Sequence, residues 1–457
     1  MRRKNKTLFY AVCCLLTFSL SNTTKANKQD STLLVKHFTS CLSSEQPAAY
    51  TKSKPIKWKD TEKYQTYVWN VWKSANSQTI EERLISLDSL CEKNKGKWQL
   101  PASLEPHATM PYYYGKKGDT KPADGYPLFI YTHGSGPKEQ EWKTGLALGR
   151  MFDDAPSVYF IPQIPNEGEY YRWWQKSKQY AWEKLLRQTL LSGDINANRI
   201  YLFGISEGGY GSQRLASFYA DYLAAAGPMA GGEPLKNAPA ENCANIAFSL
   251  RTGNEDYGFY RNMLTQCVKK EFKRLQQLHP SHYKNWVELI PDMGHHIDYR
   301  PTTVWMKQFT RNPYPTYFYW EDFEMDGRHR KGFYNLVVNE RPEKEGRTCY
   351  EMNITENHIA LNINNVTYET TQKDPRWGIE LTFKKHFTPA TKGRFTLYLC
   401  QELVDLKKSV TVTVNGKEVF KGKVKPDLKH MVNSCATFYD PCRLFPCLLY
   451  TSDAADE

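Results

Sequence analysis

The sequence predicts an α/β protein, a mostly parallel sheet with helices on both faces, followed by a smaller β-rich, sandwich-like domain. Three observations carry this. Between residues 126 and 309 short apolar runs alternate with amphipathic helical stretches, the pattern of βαβ units. One of those apolar runs leads straight into a Gly-rich turn and a helix. Beyond about Asn312 the helical stretches give way to short runs rich in Tyr, Phe, Val and Thr, residues that favour pleated strands.

In chain order, 27–110 holds a helix-like stretch at 61–90 and an expected early strand at 104–114. The main domain is expected over 111–313. Its strands are 126–132, 157–161, 199–203, a buried strand and loop at 223–231, then 245–251 and 286–290. Its helices are 141–151, 178–191, 210–222, 260–278 and a closing helix at 303–309. In the β-rich domain, 314–446, strands are expected at 332–338, 358–363, 378–383 and 394–399. A hairpin spans 410–420, where Asn415-Gly416 suits a type I′ turn. A packing or lid role for this domain is favoured over substrate binding.

The most informative turn is Gly204-Ile205-Ser206-Glu207-Gly208-Gly209, directly behind Arg199-Ile200-Tyr201-Leu202-Phe203. Strand, tight turn and helix is the context in which G-x-S-x-G exposes a nucleophilic serine, and the glycines relieve a turn too crowded for side chains. The partners of such a serine follow in the order carboxylate, then histidine. After strand 245–251 comes Thr252-Gly253-Asn254-Glu255-Asp256, and the spacing from Gly253 selects Asp256 over Glu255. After strand 286–290 comes Pro291-Asp292-Met293-Gly294-His295-His296. His295 is the expected base, with His296 the open alternative. Upstream, strand 126–132 ends in His133-Gly134-Ser135-Gly136-Pro137, where a backbone N–H can stabilise a developing oxyanion. The expected donors are the N–H groups of Ser135 and Glu207, and His133 is expected to brace the loop. The aromatic run Tyr170-Tyr171-Arg172-Trp173-Trp174 either overhangs the cleft or packs on neighbouring helices.

Together these residues resemble an α/β-hydrolase serine esterase over about 110–313. The segment from Asn198 to Gly209 is similar to the branch holding polyhydroxybutyrate depolymerases, feruloyl esterases and acetylxylan esterases. The resemblance implies a Ser206–His295–Asp256 mechanism through an acyl-enzyme, with no cofactor, on a small-molecule or glycan-linked ester. Glu207 departs from the pattern, since these esterases often carry a small or apolar residue there. A serine peptidase of the prolyl-oligopeptidase-like type is the alternative, though no large N-terminal propeller precedes the domain. A catalytically dead fold used for binding is the third reading, against which the intact Ser206, Asp256 and His295 argue.

The ends are set aside before composition is weighed. Residues 1–26 read as a signal peptide: a basic start, an apolar stretch over 7–20, and Thr24-Lys25-Ala26 as a small-x-small cleavage site. The apolar stretch is shorter than the roughly 20 residues of a spanning helix, so export to the periplasm or outside is expected without stable membrane insertion. Residues 447–457 resemble a translated transposon sequencing adapter, so they are left out of the fold reasoning and the β-rich domain is expected to lack its last strand. The formal net charge is +12; without the five leader cations and three tail acids it is +10. That charge is dispersed, with no nucleic-acid motif. Eight cysteines remain (Cys41, Cys91, Cys243, Cys267, Cys349, Cys400, Cys435 and Cys442), and export would permit disulfides whose pairing spacing does not determine. No spacing suggests a metal. Oligomeric state is not legible.

Overall fold

The computed structural model describes residues 25–44 and 46–451, without the side chains of 25–29 and 451. The predicted leader therefore lies outside the described residues, except for Lys25 and Ala26 at the start of helix α1 (Lys25–Ser43). The chain divides into two compact units. Residues up to Ala48 together with Val71–Thr79 form one, and Ala49–Asn70 with Ile80 onward form the other. In the first, Phe38 of α1 meets Trp72 of α2 (Thr61–Ser77) edge to face, with centroids 5.1 Å apart.

Helix α2 ends well short of the expected residue 90. Asn76, Ser77 and Thr79 turn their side chains onto the carbonyls of Trp72, Ser74 and Asn76, so polar side chains compete with the helix ladder there. The stretch after Ile80 is extended and is held by side chains of a later helix. Arg187 grips Glu81 with two 2.7 Å bonds, and Gln188 accepts the N–H of Leu84.

The sheet also starts earlier than the sequence suggests. Strand β1 (Lys95–Gln99), with its glycine and lysines, has little strand propensity of its own. Its pairing with β2 (Thr109–Lys117) supplies the order, setting buried Trp98 opposite Met110. The remaining elements of the sheet region are β3 (Tyr126–Thr132), α3 (Lys138–Met151), β4 (Ser157–Pro162), α4 (Lys176–Ser192), β5 (Ile195–Ile205), α5 (Glu207–Phe218), β6 (Ala225–Met229), β7 (Ala247–Gly253), α6 (Arg261–Leu278), β8 (Asn285–Ile290) and α7 (Arg300–Met306). The strand order is β1-β2-β4-β3-β5-β6-β7-β8. Strands β4 to β8 run parallel through β3, and β1 and β2 are antiparallel at one edge. This is the α/β-hydrolase fold.

Alternate residues of each central strand feed opposite faces, as the pleat requires. Leu128 and Ile130 pack with Leu185 of α4, Leu215 of α5 and Phe272 of α6. Phe129 and Tyr131 pack with Trp142 of α3 and Met306 of α7. Both faces are thus covered, which is why the strands read as continuous apolar runs.

The β-rich part contains β9 (Tyr317–Asp322), β10 (Gly332–Phe333), β11 (Leu336–Glu340), β12 (Arg347–Thr355), β13 (His358–Lys373), β14 (Glu380–Pro389), β15 (Arg394–Leu399), β16 (Val410–Val414), β17 (Lys417–Gly422), α8 (Leu428–Phe438) and β18 (Cys447–Thr451). One sheet has the order β10-β11-β15-β18; the other runs β17-β16-β13-β12-β9 with β14 beside β13. Aromatic rings join them: Trp320 stacks on Phe333 at 5.4 Å, and Tyr350 meets Phe395 edge-on. The expected hairpin turn has positive φ at both Asn415 and Gly416, as a type I′ turn demands. Helix α8 was not foreseen.

Residues Cys447–Thr451, set aside at the sequence level, form the edge strand β18 in register with Phe395–Leu399. The segment alternates in the required way: Cys447 and Leu449 are buried and Tyr450 is exposed. The β-rich part is fastened to the hydrolase sheet by a buried charge cluster. Arg330 and Arg443 both bind Asp221, and Asp440 takes both Arg443 and Arg311. Such a cluster is costly to break one partner at a time. No described helix is long and apolar enough to cross a membrane, no metal-holding group of side chains occurs among the described residues, and Cys91, Cys243, Cys267, Cys349, Cys400 and Cys442 are unbridged.

Candidate active site

The sheet places the loops before any side chain is considered. Strands β3 and β5 are neighbours, with Thr132 opposite Gly204. Their carboxyl ends therefore deliver the His133–Pro137 loop and the serine turn side by side, at the crevice where the strand order reverses. Strands β7 and β8 are likewise neighbours, ending with Gly253 opposite Ile290. The loops that follow are stitched together by Asn254 N–H to Ile290 O and Glu255 N–H to Met293 O, both 2.9 Å. A Cβ at Gly253 would lie 2.1 Å from the carbonyl oxygens of Met293 and Gly294, so the carboxylate loop and the histidine loop touch through backbone.

Ser206 sits between β5 and α5 with φ 57° and ψ −116°, a conformation that costs a non-glycine residue about 1–3 kcal/mol. The flanking glycines make it feasible. A Cβ at Gly208 would lie 1.9 Å from Thr132 O, and one at Gly204 would lie 2.2 Å from Thr132 Oγ1. Gly208→Ala is accordingly expected to yield insoluble protein or a thermal midpoint lowered by many degrees; a normal melt would show that the turn has room to spare.

The structure brings the three sequence-predicted side chains into line. His295 Nε2 is 3.0 Å from Ser206 Oγ, and its Nδ1 is 2.8 Å from Asp256 Oδ2. An ionised carboxylate at Nδ1 keeps the proton on that nitrogen and leaves Nε2 as the acceptor facing the serine. His296 is exposed, its ring 6.1 Å from that of His295, and Glu255 is exposed beside buried Asp256. Sequence reasoning missed Arg261, which grips Asp256 with Nε to Oδ2 at 2.8 Å and Nη2 to Oδ1 at 2.6 Å. Burial alone would raise the Asp256 carboxyl, but the hydrogen bonds from His295 and Arg261 hold it below its ordinary value. Only the position of Arg261 at the first turn of a helix beginning five residues after Asp256 hinted at this role.

The other two predicted residues line the same cleft. Ser135 and Glu207 face a cavity of about 560 Å³ together with Ser206. The N–H of Glu207 belongs to the first turn of α5, where backbone donors lack helical partners and the dipole favours negative charge. A Cβ at Gly134 would lie 3.5 Å from Ser206 Cβ, so the loop backbone is in contact with the serine. The Gly134 N–H is taken by Glu141, a carboxyl raised by burial and partly restored by that bond.

His133 is fully buried and acts as a brace. Its Nδ1 bonds Gly134 O at 2.8 Å and its Nε2 accepts the Ile164 N–H at 3.0 Å, while burial pushes its pKa down to about 4. The aromatic run divides between both of its expected roles. Tyr171 donates its hydroxyl to Gly134 O and Trp173 donates to His133 O, so these two hold the loop. Trp174 lines the cleft, with the Arg214 guanidinium 4.2 Å from its ring centroid.

Glu207 also puts its side chain into the cleft. Oε2 lies 3.4 Å from Arg172, and Oε1 is buried without a hydrogen-bond partner among the described residues. Burial pushes the carboxyl up to about 7, Arg172 and Arg214 opposing and Glu233 adding to the shift. A carboxyl that holds its proton more tightly folded than unfolded favours the fold below pH 4.5, and that advantage is lost as the pH rises through 7. The shift corresponds to about 3 kcal/mol at most. Glu207→Gln, which cannot ionise, should therefore melt higher than the wild type at pH 8 and show a much smaller gain at pH 5. Equal gains at both pH values would remove the titration of Glu207 from the account.

The sheet order is that of the α/β-hydrolase fold. Solved structures of similar fold include a thermostable esterase, 20% identical over 48% of this chain with a TM-score of 0.39; this chain covers 62% of that protein's length. A carboxylesterase from Mesorhizobium loti is 19% identical over 47% of this chain and 97% of its own, with a TM-score of 0.33. A CE1 ferulic acid esterase from Anaeromyces mucronatus is 12% identical over 47% of this chain and 87% of its own, with a TM-score of 0.31. No protein-family model and no curated protein matches the chain.

Proposed function

We propose that this chain is a serine carboxylic-ester hydrolase. The observation that carries the reading is the continuous line from Asp256 through His295 to a strained Ser206 at the mouth of a cleft. Ser206 Oγ attacks the ester carbonyl while His295 Nε2 takes its proton. Asp256, itself held by Arg261, orients the imidazole and stabilises it when charged. The N–H groups of Ser135 and Glu207 receive the negative oxygen of the tetrahedral intermediate. The alcohol leaves with the proton from His295, and water, activated by the same base, releases the acid from the acyl-enzyme. None of these steps draws on a cofactor. The reading extends to export through residues 1–26 and to small or glycan-linked esters as substrates.

Three substrates assayed side by side against Ser206→Ala test it: p-nitrophenyl acetate, methyl ferulate and an aminoacyl p-nitroanilide. Serine-dependent ester cleavage without anilide cleavage is the expected result. Anilide cleavage at comparable efficiency would turn the reading to a peptidase, and silence on all three from folded protein would overturn it.

A further inference from the structure

We propose that the β-rich part reads the substrate of this same site, through Trp377 on the loop between β13 and β14, packing against a ring carried by the substrate away from the scissile ester. The inference rests on the esterase reading above. Trp377 and Ile379 of this loop, with Lys373 and Glu380 at the strand ends that flank it, line the cleft that holds Ser206.

The loop is built to hold a fixed shape. Asp374 is buried, and its carboxylate accepts the N–H groups of Arg376, Trp377 and Ile379 at 2.7–2.8 Å. Its own N–H bonds Ile379 O at 2.9 Å, closing the turn, and Gly378 takes the positive φ of 68° that the closure needs. Lys236, from the hydrolase region, pairs with Glu380 at 3.2 Å and ties the end of the loop down. A short loop with this many internal bonds presents its tip without paying much ordering entropy on binding.

That tip is aromatic, and it meets an aromatic partner. Trp377 lies 5.3 Å from Phe259 and 5.6 Å from Tyr260, centroid to centroid. Trp377 and Phe259 remain 37% and 54% exposed, an unusual amount of apolar ring to leave at a cleft mouth. Phe259 and Tyr260 both have positive φ, 49° and 55°, and they stand between Asp256 and the Arg261 that grips it. Of the two, Phe259 lines the cleft and is exposed there, so this strained backbone carries an open ring at the site. Two of the cations in the cleft are engaged by carboxylates: Arg214 by Glu233 at 2.6 Å and Arg261 by Asp256. Arg376 lies over the Trp377 ring with its guanidinium 4.4 Å from the centroid, and Arg261 is 5.8 Å from that of Phe259, so the ring surface offered to a ligand is what these cations leave exposed at the cleft. An aromatic ring, or the apolar C–H face of a sugar ring, is the group that gains there, because an indole or phenyl face offers a large apolar contact and, to another aromatic ring, a stacking term beyond the area covered.

The experiment compares Trp377→Ala and Trp377→Phe with the wild type on ethyl acetate, ethyl 3-phenylpropionate, phenethyl acetate and methyl 6-O-acetylglucoside, each followed by acid release. Trp377→Ala should lower kcat/KM on at least one ring-bearing ester ~3- to 10-fold more than on ethyl acetate. The loss should appear in KM, and Trp377→Phe should restore most of it. The ester affected distinguishes an aryl from a sugar ring and an acyl-side from an alcohol-side site. If Trp377 only braces the Asp256–Arg261 segment, all four esters fall by the same factor through kcat, and the proposal is overturned. A wild type that turns over none of the four sinks the esterase reading and this inference with it; turnover with constant ratios sinks this inference alone.

Discussion

Ser206→Ala should abolish ester turnover, with kcat falling by three orders of magnitude or more, while the protein still folds. The substitution removes the oxygen proposed to attack the ester and nothing that the fold depends on. Alanine at φ 57° carries the same backbone strain as serine, so the elbow keeps its shape, and the Ser206 N–H still reaches Met229 O at 3.0 Å. His295 loses one neighbour but is only half buried and keeps Asp256. The thermal midpoint should stay within a few degrees of the wild type. Purified variant assayed on p-nitrophenyl acetate decides it, since turnover at the wild-type rate would take the elbow out of the mechanism. An inactive variant that also fails to melt cooperatively would leave the loss to the fold.

His295→Ala and His296→Ala should separate almost as widely. Loss of His295 removes both the proton acceptor and the group that Asp256 orients, and kcat should fall about 10³-fold or more. Its neighbour is exposed, with its ring 6.1 Å from that of His295, so His296→Ala should stay within about threefold of the wild type. Should His296→Ala prove the dead variant, the 3.0 Å contact at Ser206 is not the productive one.

How much of this was legible follows the range of the interactions involved. Strands 126–132 and 394–399 were read to the residue, because their apolar runs are bounded by turn residues and buried on the faces that the pattern implies. Helix α2 was over-extended because side chain to backbone bonds at Asn76, Ser77 and Thr79 are not part of a periodicity argument. Strand β1 leaves little signal in the sequence, since Lys95–Gln99 has little strand propensity of its own and exists through its pairing with β2. The edge strand Cys447–Thr451 resembles a translated adapter in sequence, yet its buried and exposed residues alternate as a strand's do.

The sequence by itself determined that this chain would form a mostly parallel α/β sheet carrying a serine on a tight turn. It also determined that a carboxylate and a histidine would follow on later strand ends. Those are local facts: Gly204 and Gly208 are needed because the turn brings backbone within 1.9–2.4 Å of where a side chain would begin. Tertiary structure alone decided that His295 and not His296 meets Ser206, that Arg261 holds Asp256, and that Trp377 of the β-rich part lines the same cleft. The physical reason is that such contacts are set by strand register and by loops packed across the sheet. Residues far apart in the chain meet there without leaving a signal in the spacing of either.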